Sequence, residues 1–103
     1  MIGNYQGNYF YNTGSVQAVA VDTWGIYYCG RLDPSGKLLP LYIGRACGEG
    51  VSVRSRLLDH LRQDQWSDVT HFGYRTGATS QEVVSFEATE IAEFNPKYNQ
   101  RVG

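Results

Sequence analysis

Polar and apolar residues alternate from Val16 to Thr23 (VQAVAVDT), a pattern that predicts a short strand. Gly25 to Leu32 (GIYYCGRL) predicts a second strand, rich in Ile and Tyr. Asp33-Pro34-Ser35-Gly36 is a type I turn signal, and Leu38 to Gly44 is the returning strand, so residues 24–44 read as a β-hairpin. With a plain two-residue loop, Tyr27 pairs with Tyr42 and both point to one side of the sheet. Ile26, Leu41 and Ile43 then face the other side, into the core. A glycine bulge at Gly36 shifts this pairing by one residue, and Pro40 signals an irregular strand.

Ser52 is an N-cap for a helix over Val53 to Gln63, with Val53, Leu57, Leu58 and Leu61 on its apolar face. Arg56 and His60 stand four apart on a neighbouring face. Val69 to Arg75 alternates as a third strand. Thr76 to Thr79 is a loop, Ser80 a cap, and residues 81–94 a helix whose apolar set is Val83, Val84, Ala88, Ile91, Ala92 and Phe94. Pro96 ends it. Residues 1–15 show no period and read as an irregular arm that lays Tyr5, Tyr9, Phe10 and Tyr11 on the body. A sharper reading makes it an aromatic arm that contacts a partner or a nucleic acid. The expectation is an α+β domain over residues 16–103: a small, mainly antiparallel, three-stranded sheet with flanking helices.

Composition narrows this picture only a little. At 103 residues the chain fits one domain. No apolar run approaches the roughly 20 residues of a membrane span, and no signal peptide opens the chain, so a cytoplasmic protein with no membrane contact is expected. A net charge of −1 argues against a strongly basic nucleic-acid coat but not against a local basic patch. Cys29 and Cys47 lack the number and spacing of a disulfide framework or zinc site and read as free thiols.

Glu87 breaks its helix pattern. Val83 and Ile91 lie four residues to either side, so this carboxylate shares the apolar face and needs a partner. An Arg at the rim of the stripe is the plain candidate. Glu82, Glu90 and Glu93 lie elsewhere and can be solvated. A basic pair such as Arg56 and His60 is usually a solvated face, strand tyrosines usually pack, and His71 reads as structural. No Gly-rich phosphate loop, His/Cys cluster or Ser-His-Asp pattern is present.

Taken together, Gly25-Ile26-Tyr27, the hairpin, Tyr42-Ile43-Gly44, Arg56-x-x-x-His60, Glu87, and Pro96 to Asn99 resemble the GIY-YIG nuclease family, in family order over roughly residues 24–100. The resemblance implies a divalent-metal-dependent endonuclease that hydrolyses DNA phosphodiesters, of repair or restriction type and phage or bacterial in style. It implies catalytic roles for Tyr27, Tyr42, Arg56, His60 and Glu87, with Gly25, Gly44, Arg45 and Asn99 supporting. Tyr27 matches the tyrosine thought to act as general base or to orient the nucleophile, and Glu87 the metal-binding carboxylate, with Mg²⁺ the expected ion and Mn²⁺ its substitute. The chain departs from the family in carrying Arg45 where Lys or Ser is common, and in a longer stretch from Gly44 to Arg56.

The chemistry needs these residue types. One carboxylate and several waters can hold Mg²⁺ against a phosphate, and a guanidinium fork such as that of Arg56 fits the oxygens where charge grows. A tyrosine is a poor base unless neighbours favour its anion, for which Tyr42, Arg45 and His60 are candidates, and His60 is an alternative proton relay. Arg31, Arg45, Arg54, Arg56, Arg62, Arg75, Lys97 and Arg101 are the candidates for one DNA-facing surface. A neutral domain of this size calls for a homodimer, the N-terminal arm or a separate DNA-binding partner to gain specificity. Competing readings are a catalytically silent nucleic-acid-binding module on the same fold and a structural domain whose tyrosines merely pack.

Overall fold

The computed structural model describes residues 1–99; Arg101 of the basic tail lies outside them. The elements are β1 (Gln6–Phe10), α1 (Thr13–Gln17), β2 (Gly25–Leu32), β3 (Leu38–Ala46), α2 (Val53–Gln63), β4 (His71–Thr76), α3 (Ser80–Phe94) and a final 3₁₀ turn (Lys97–Asn99). The α+β expectation holds, but among the described residues the sheet has four strands, all antiparallel, in the order β1-β4-β2-β3.

Two expectations for the N-terminal region are corrected. The stretch read as an irregular arm supplies β1, which pairs with β4 through Gln6↔Tyr74, Tyr9↔Phe72 and Phe10↔His71. Its Gly- and Asn-rich sequence hid the strand because the ladder comes from β4, not from local preference. The segment read as a strand from Val16 instead begins inside α1. There the Asn12 side chain accepts from Ser15 N, and Val16 and Val19 are buried one turn apart. A run of eight residues fits both periods, and packing against α2 decides for the helix.

The sheet separates two cores. Tyr27 and Cys29 of β2 meet Val16, Val53, Leu57, Trp66 and Phe72 on one face. Ile26 and Tyr28 meet Ile43 and Val83 under α3 on the other. Strict alternation along β2 therefore buries every side chain from Gly25 to Gly30, as expected for a strand covered on both faces.

The hairpin register differs from the simple expectation. Gly36 sits at φ +85°, Asp33 N donates to Lys37 O at 2.8 Å, and Leu32 pairs with Leu38, the one-residue shift of a glycine bulge. A second bulge lies between Cys29↔Tyr42 and Gly30↔Pro40, next to the proline, and leaves Leu41 extra. Tyr27 consequently faces Gly44, not Tyr42. Two single shifts restore the parity, so Tyr27 and Tyr42 still share a face. Leu41 moves to that face with them and joins the core of Tyr27 rather than that of Ile43.

Both long helices start on reciprocal caps. Ser52 and Ser55 exchange side-chain and backbone bonds at the start of α2. At α3 the cap is Thr79, one residue before the expected Ser80, with Glu82 reaching back. Each helix ends on a left-handed residue, Asp64 and Asn95. The buried side of α3 is Val83, Phe86, Glu87, Glu90 and Ile91, whereas Val84, Ala88, Ala92 and Phe94 of the expected apolar set are exposed. No helix among the described residues is long and apolar enough to cross a membrane.

Candidate active site

The two motif glycines are required by close approach. The phenol of Tyr27 crosses the sheet onto its partner Gly44, where any Cβ would run into the ring and the hydroxyl. A Cβ on Gly25 would strike the backbone of Arg75 in β4. Gly44 thus lets one fully buried tyrosine lie flat across a strand, and Gly25 lets β4 pack close against β2.

From α2, His60 reaches the Tyr27 hydroxyl, with O···Nε2 at 2.9 Å. His60 Nδ1 lies 2.9 Å from Gln65 Oε1, an acceptor, so Nδ1 carries the hydrogen and Nε2 accepts the tyrosine proton. Burial is the largest influence on both groups. It raises the Tyr27 pKa strongly, reinforced by Tyr42 and Cys29 and opposed by the charge of Arg56. It lowers that of His60, an effect Gln65 opposes and Arg56 reinforces. At neutral pH the pair is a phenol bonded to a neutral imidazole. Arg56, not Arg45, is the cation that favours the phenolate.

Tyr42 stands over this pair, its ring 6.1 Å from that of Tyr27 and edge-on to His60 at 5.3 Å. It stacks on Trp66 at 4.8 Å, and Trp66 in turn stacks on Tyr98 at 5.8 Å. Trp66 and Gln65 escaped the sequence reading. The left-handed turn at Asp64 folds them back beneath His60, and the high aromatic content was the only available signal.

Tyr42, Arg45, Arg56, Glu87 and Asn99 line one open cleft of about 590 Å³ at the β3 edge of the sheet. Glu87 is tucked in, its side chain 12% exposed, and its Oε1 accepts from Arg45 Nη1 at 2.8 Å. The rim arginine foreseen as the plain partner of Glu87 is therefore Arg45. Asn99 serves as a short length of strand. Its amide accepts from Ile43 N and donates to Ile43 O, both at 2.8 Å, closing the free edge of β3 between Tyr42 and Gly44.

Of the residues singled out from sequence, Tyr42, Arg45, Arg56, Glu87 and Asn99 meet in the cleft, while the buried Tyr27 and the partly exposed His60 form a bonded pair beneath Tyr42. The foreseen basic surface is divided. Arg62 pairs with Asp59, Lys97 pairs with Asp68 at 3.1 Å, and Arg75 lies in a separate pocket under α3. Cys29 is buried and Cys47 half-buried, both free. Glu90, read as solvated, is held under the helix by Tyr28. Among the described residues no three His, Cys, Asp or Glu side chains converge on a point. No protein-family model, no curated protein and no solved structure matches this chain.

Proposed function

We propose that the cleft is the active site of a metal-dependent endonuclease of GIY-YIG type, acting on DNA phosphodiesters. The observation that carries this reading is the meeting of Arg56 and Glu87, from two helices on opposite faces of the sheet, in one cleft roofed by Tyr42. Glu87 has a structural partner in Arg45, but Arg56 reaches the same cleft with no ion pair of its own among the described residues.

Glu87 suits Mg²⁺ or Mn²⁺. Magnesium is commonly held by one or two carboxylates with water completing the shell, and Glu87 offers the oxygen that Arg45 does not take. When bound, the ion would supply Lewis-acid polarisation of a phosphate oxygen. The chain's own residues do the rest. Arg56 offers planar donors to the non-bridging oxygens. The 2.9 Å bond to His60 Nε2 is the path by which the Tyr27 proton would leave if an added positive charge offset the burial that opposes both the phenolate and the imidazolium, and Gln65 holds the imidazole in the accepting tautomer. Asn99 holds the β3 edge, and with it Tyr42, in place.

Nicking of supercoiled plasmid, single-stranded and branched DNA with Mg²⁺ tests this reading. Wild type should cut at least one of them, and Arg56→Ala should slow that cut by about 10²–10³-fold, the usual effect of removing one charge-stabilising donor. Tight binding of DNA without cutting would favour the silent binding module instead.

A further inference from the structure

A second pocket, of about 440 Å³, opens on the α3 face between that helix and the β2–β3 turn, within the range of small-ligand sites. Its walls carry the Tyr5, Tyr28 and Phe94 rings, its charged groups are Glu90, Arg75 and Lys37, and Asn8 also lines it, accepting from the Tyr5 hydroxyl at 2.7 Å. Tyr28 donates to Glu90 Oε1 at 2.6 Å. Arg75 is held by Gly3 O at 3.2 Å and lies over the rings of Tyr5 and Phe86.

This cluster is incomplete as a structural unit. Arg75 Nε is buried without a hydrogen-bond partner among the described residues, and Glu90 Oε1 stops 3.9 Å away. Glu90 Oε2 also has no hydrogen-bond partner among the described residues. One carboxylate against two cations leaves the pocket one positive charge, which favours an anionic ligand. The aromatic walls favour a flat one, and the carboxylate favours an edge of N–H donors.

We propose that this pocket binds a guanine nucleotide. The base lies against the Tyr5 and Phe94 rings, its N1–H and amino group donate to Glu90, and its phosphate is drawn to Lys37. Guanine presents two adjacent donors to a carboxylate. Uracil presents one, flanked by carbonyl oxygens that the carboxylate repels. The nucleotide can be free or an unpaired residue of a strand. The site stands apart from the cleft of Glu87 and does not depend on whether that cleft cuts DNA.

Titration of the whole chain by NMR or calorimetry tests it, with guanosine monophosphate, uridine monophosphate, inorganic phosphate, and hairpins carrying one bulged guanine or thymine. The guanine ligands should bind at least about tenfold tighter than their pyrimidine counterparts, the discrimination of one good two-point contact. Glu90→Gln, which keeps an acceptor for Tyr28, should erase that preference. Phe94→Ala, at a half-exposed position, should weaken all nucleotides, and Glu87→Gln should change none of this. Tighter binding of the mononucleotide or of the bulged hairpin identifies the source. Equal binding of guanine and pyrimidine ligands, a preference that survives Glu90→Gln, or phosphate binding as tightly as the nucleotide would overturn the proposal.

Discussion

Glu87 and Glu90 stand three residues apart on one helix, and their surroundings differ in kind. Glu87 meets an arginine that is itself half exposed, at the lip of an open cleft. Glu90 takes a phenol proton at 2.6 Å and stands off a largely buried guanidinium. The two carboxylates are about equally covered, at 12% and 14% exposed, and the difference lies in their partners. A pair whose cation is half in water contributes little to stability, whereas removing the acceptor of a buried donor costs the desolvation of the group left behind. The same residue type on the same helix is thus spare for folding at one position and needed for it at the other. A carboxylate that the fold can do without is the one free to serve a ligand such as a metal.

Four substitutions can break or sharpen that contrast. Glu87→Gln has the largest expected effect. The loss of several kcal/mol of Lewis-acid stabilisation corresponds to a roughly 10³-fold slower nicking rate, while the melting temperature stays close to wild type. Tyr27→Phe should slow nicking by about 10²-fold, the scale of a lost proton-transfer group. It should also leave His60 Nε2 without its donor, which the pH–rate profile would register as an altered lower limb. Glu90→Ala should act in the opposite sense to Glu87→Gln, destabilising the fold by about 1–3 kcal/mol by stranding the Tyr28 hydroxyl and Arg75. Urea unfolding measures this, and a loss no larger than that of Glu87→Ala would erase the distinction.

The smallest effect concerns pH. Burial lowers the pKa of His60 from its ordinary 6.5, so the folded state holds the neutral ring. As pH falls below 6.5 the unfolded chain takes up a proton that the folded one refuses, and stability declines until the folded pKa is passed. The slope from this one group is at most about 1.4 kcal/mol per pH unit. His60→Gln should flatten the difference in unfolding free energy between pH 7 and pH 5.5.

Much of this architecture was legible where local pattern and packing agree. The hairpin, the capped α2 and the anomaly of Glu87 all follow from spacing, because each period matches the face that is buried. The face shared by Tyr27 and Tyr42 was also legible, although the pairing behind it was not. Gly36 signals one bulge and Pro40 the other, but nothing local in the sequence shows that the two shifts cancel in parity. β1 was invisible because Gln6 to Phe10 has no period of its own and is a strand only against β4. Glu90 does not stand out because two carboxylates share the inward side of α3 with Val83, Phe86 and Ile91, while apolar residues such as Val84, Ala88 and Ala92 face outward and blur the spacing. Gln65 and Trp66 come under His60 through a left-handed turn that sequence spacing does not register.

The central claim is that Arg56, Glu87 and the Tyr27–His60 pair act on one phosphodiester. Its most direct test follows supercoiled plasmid with time in Mg²⁺, in EDTA, and with Glu87→Gln in Mg²⁺. The account predicts nicked circles that accumulate with wild type and Mg²⁺, cease with EDTA and nearly vanish with the variant. Intact plasmid under folded wild-type protein in both Mg²⁺ and Mn²⁺, or equal nicking by wild type and Glu87→Gln, would contradict it.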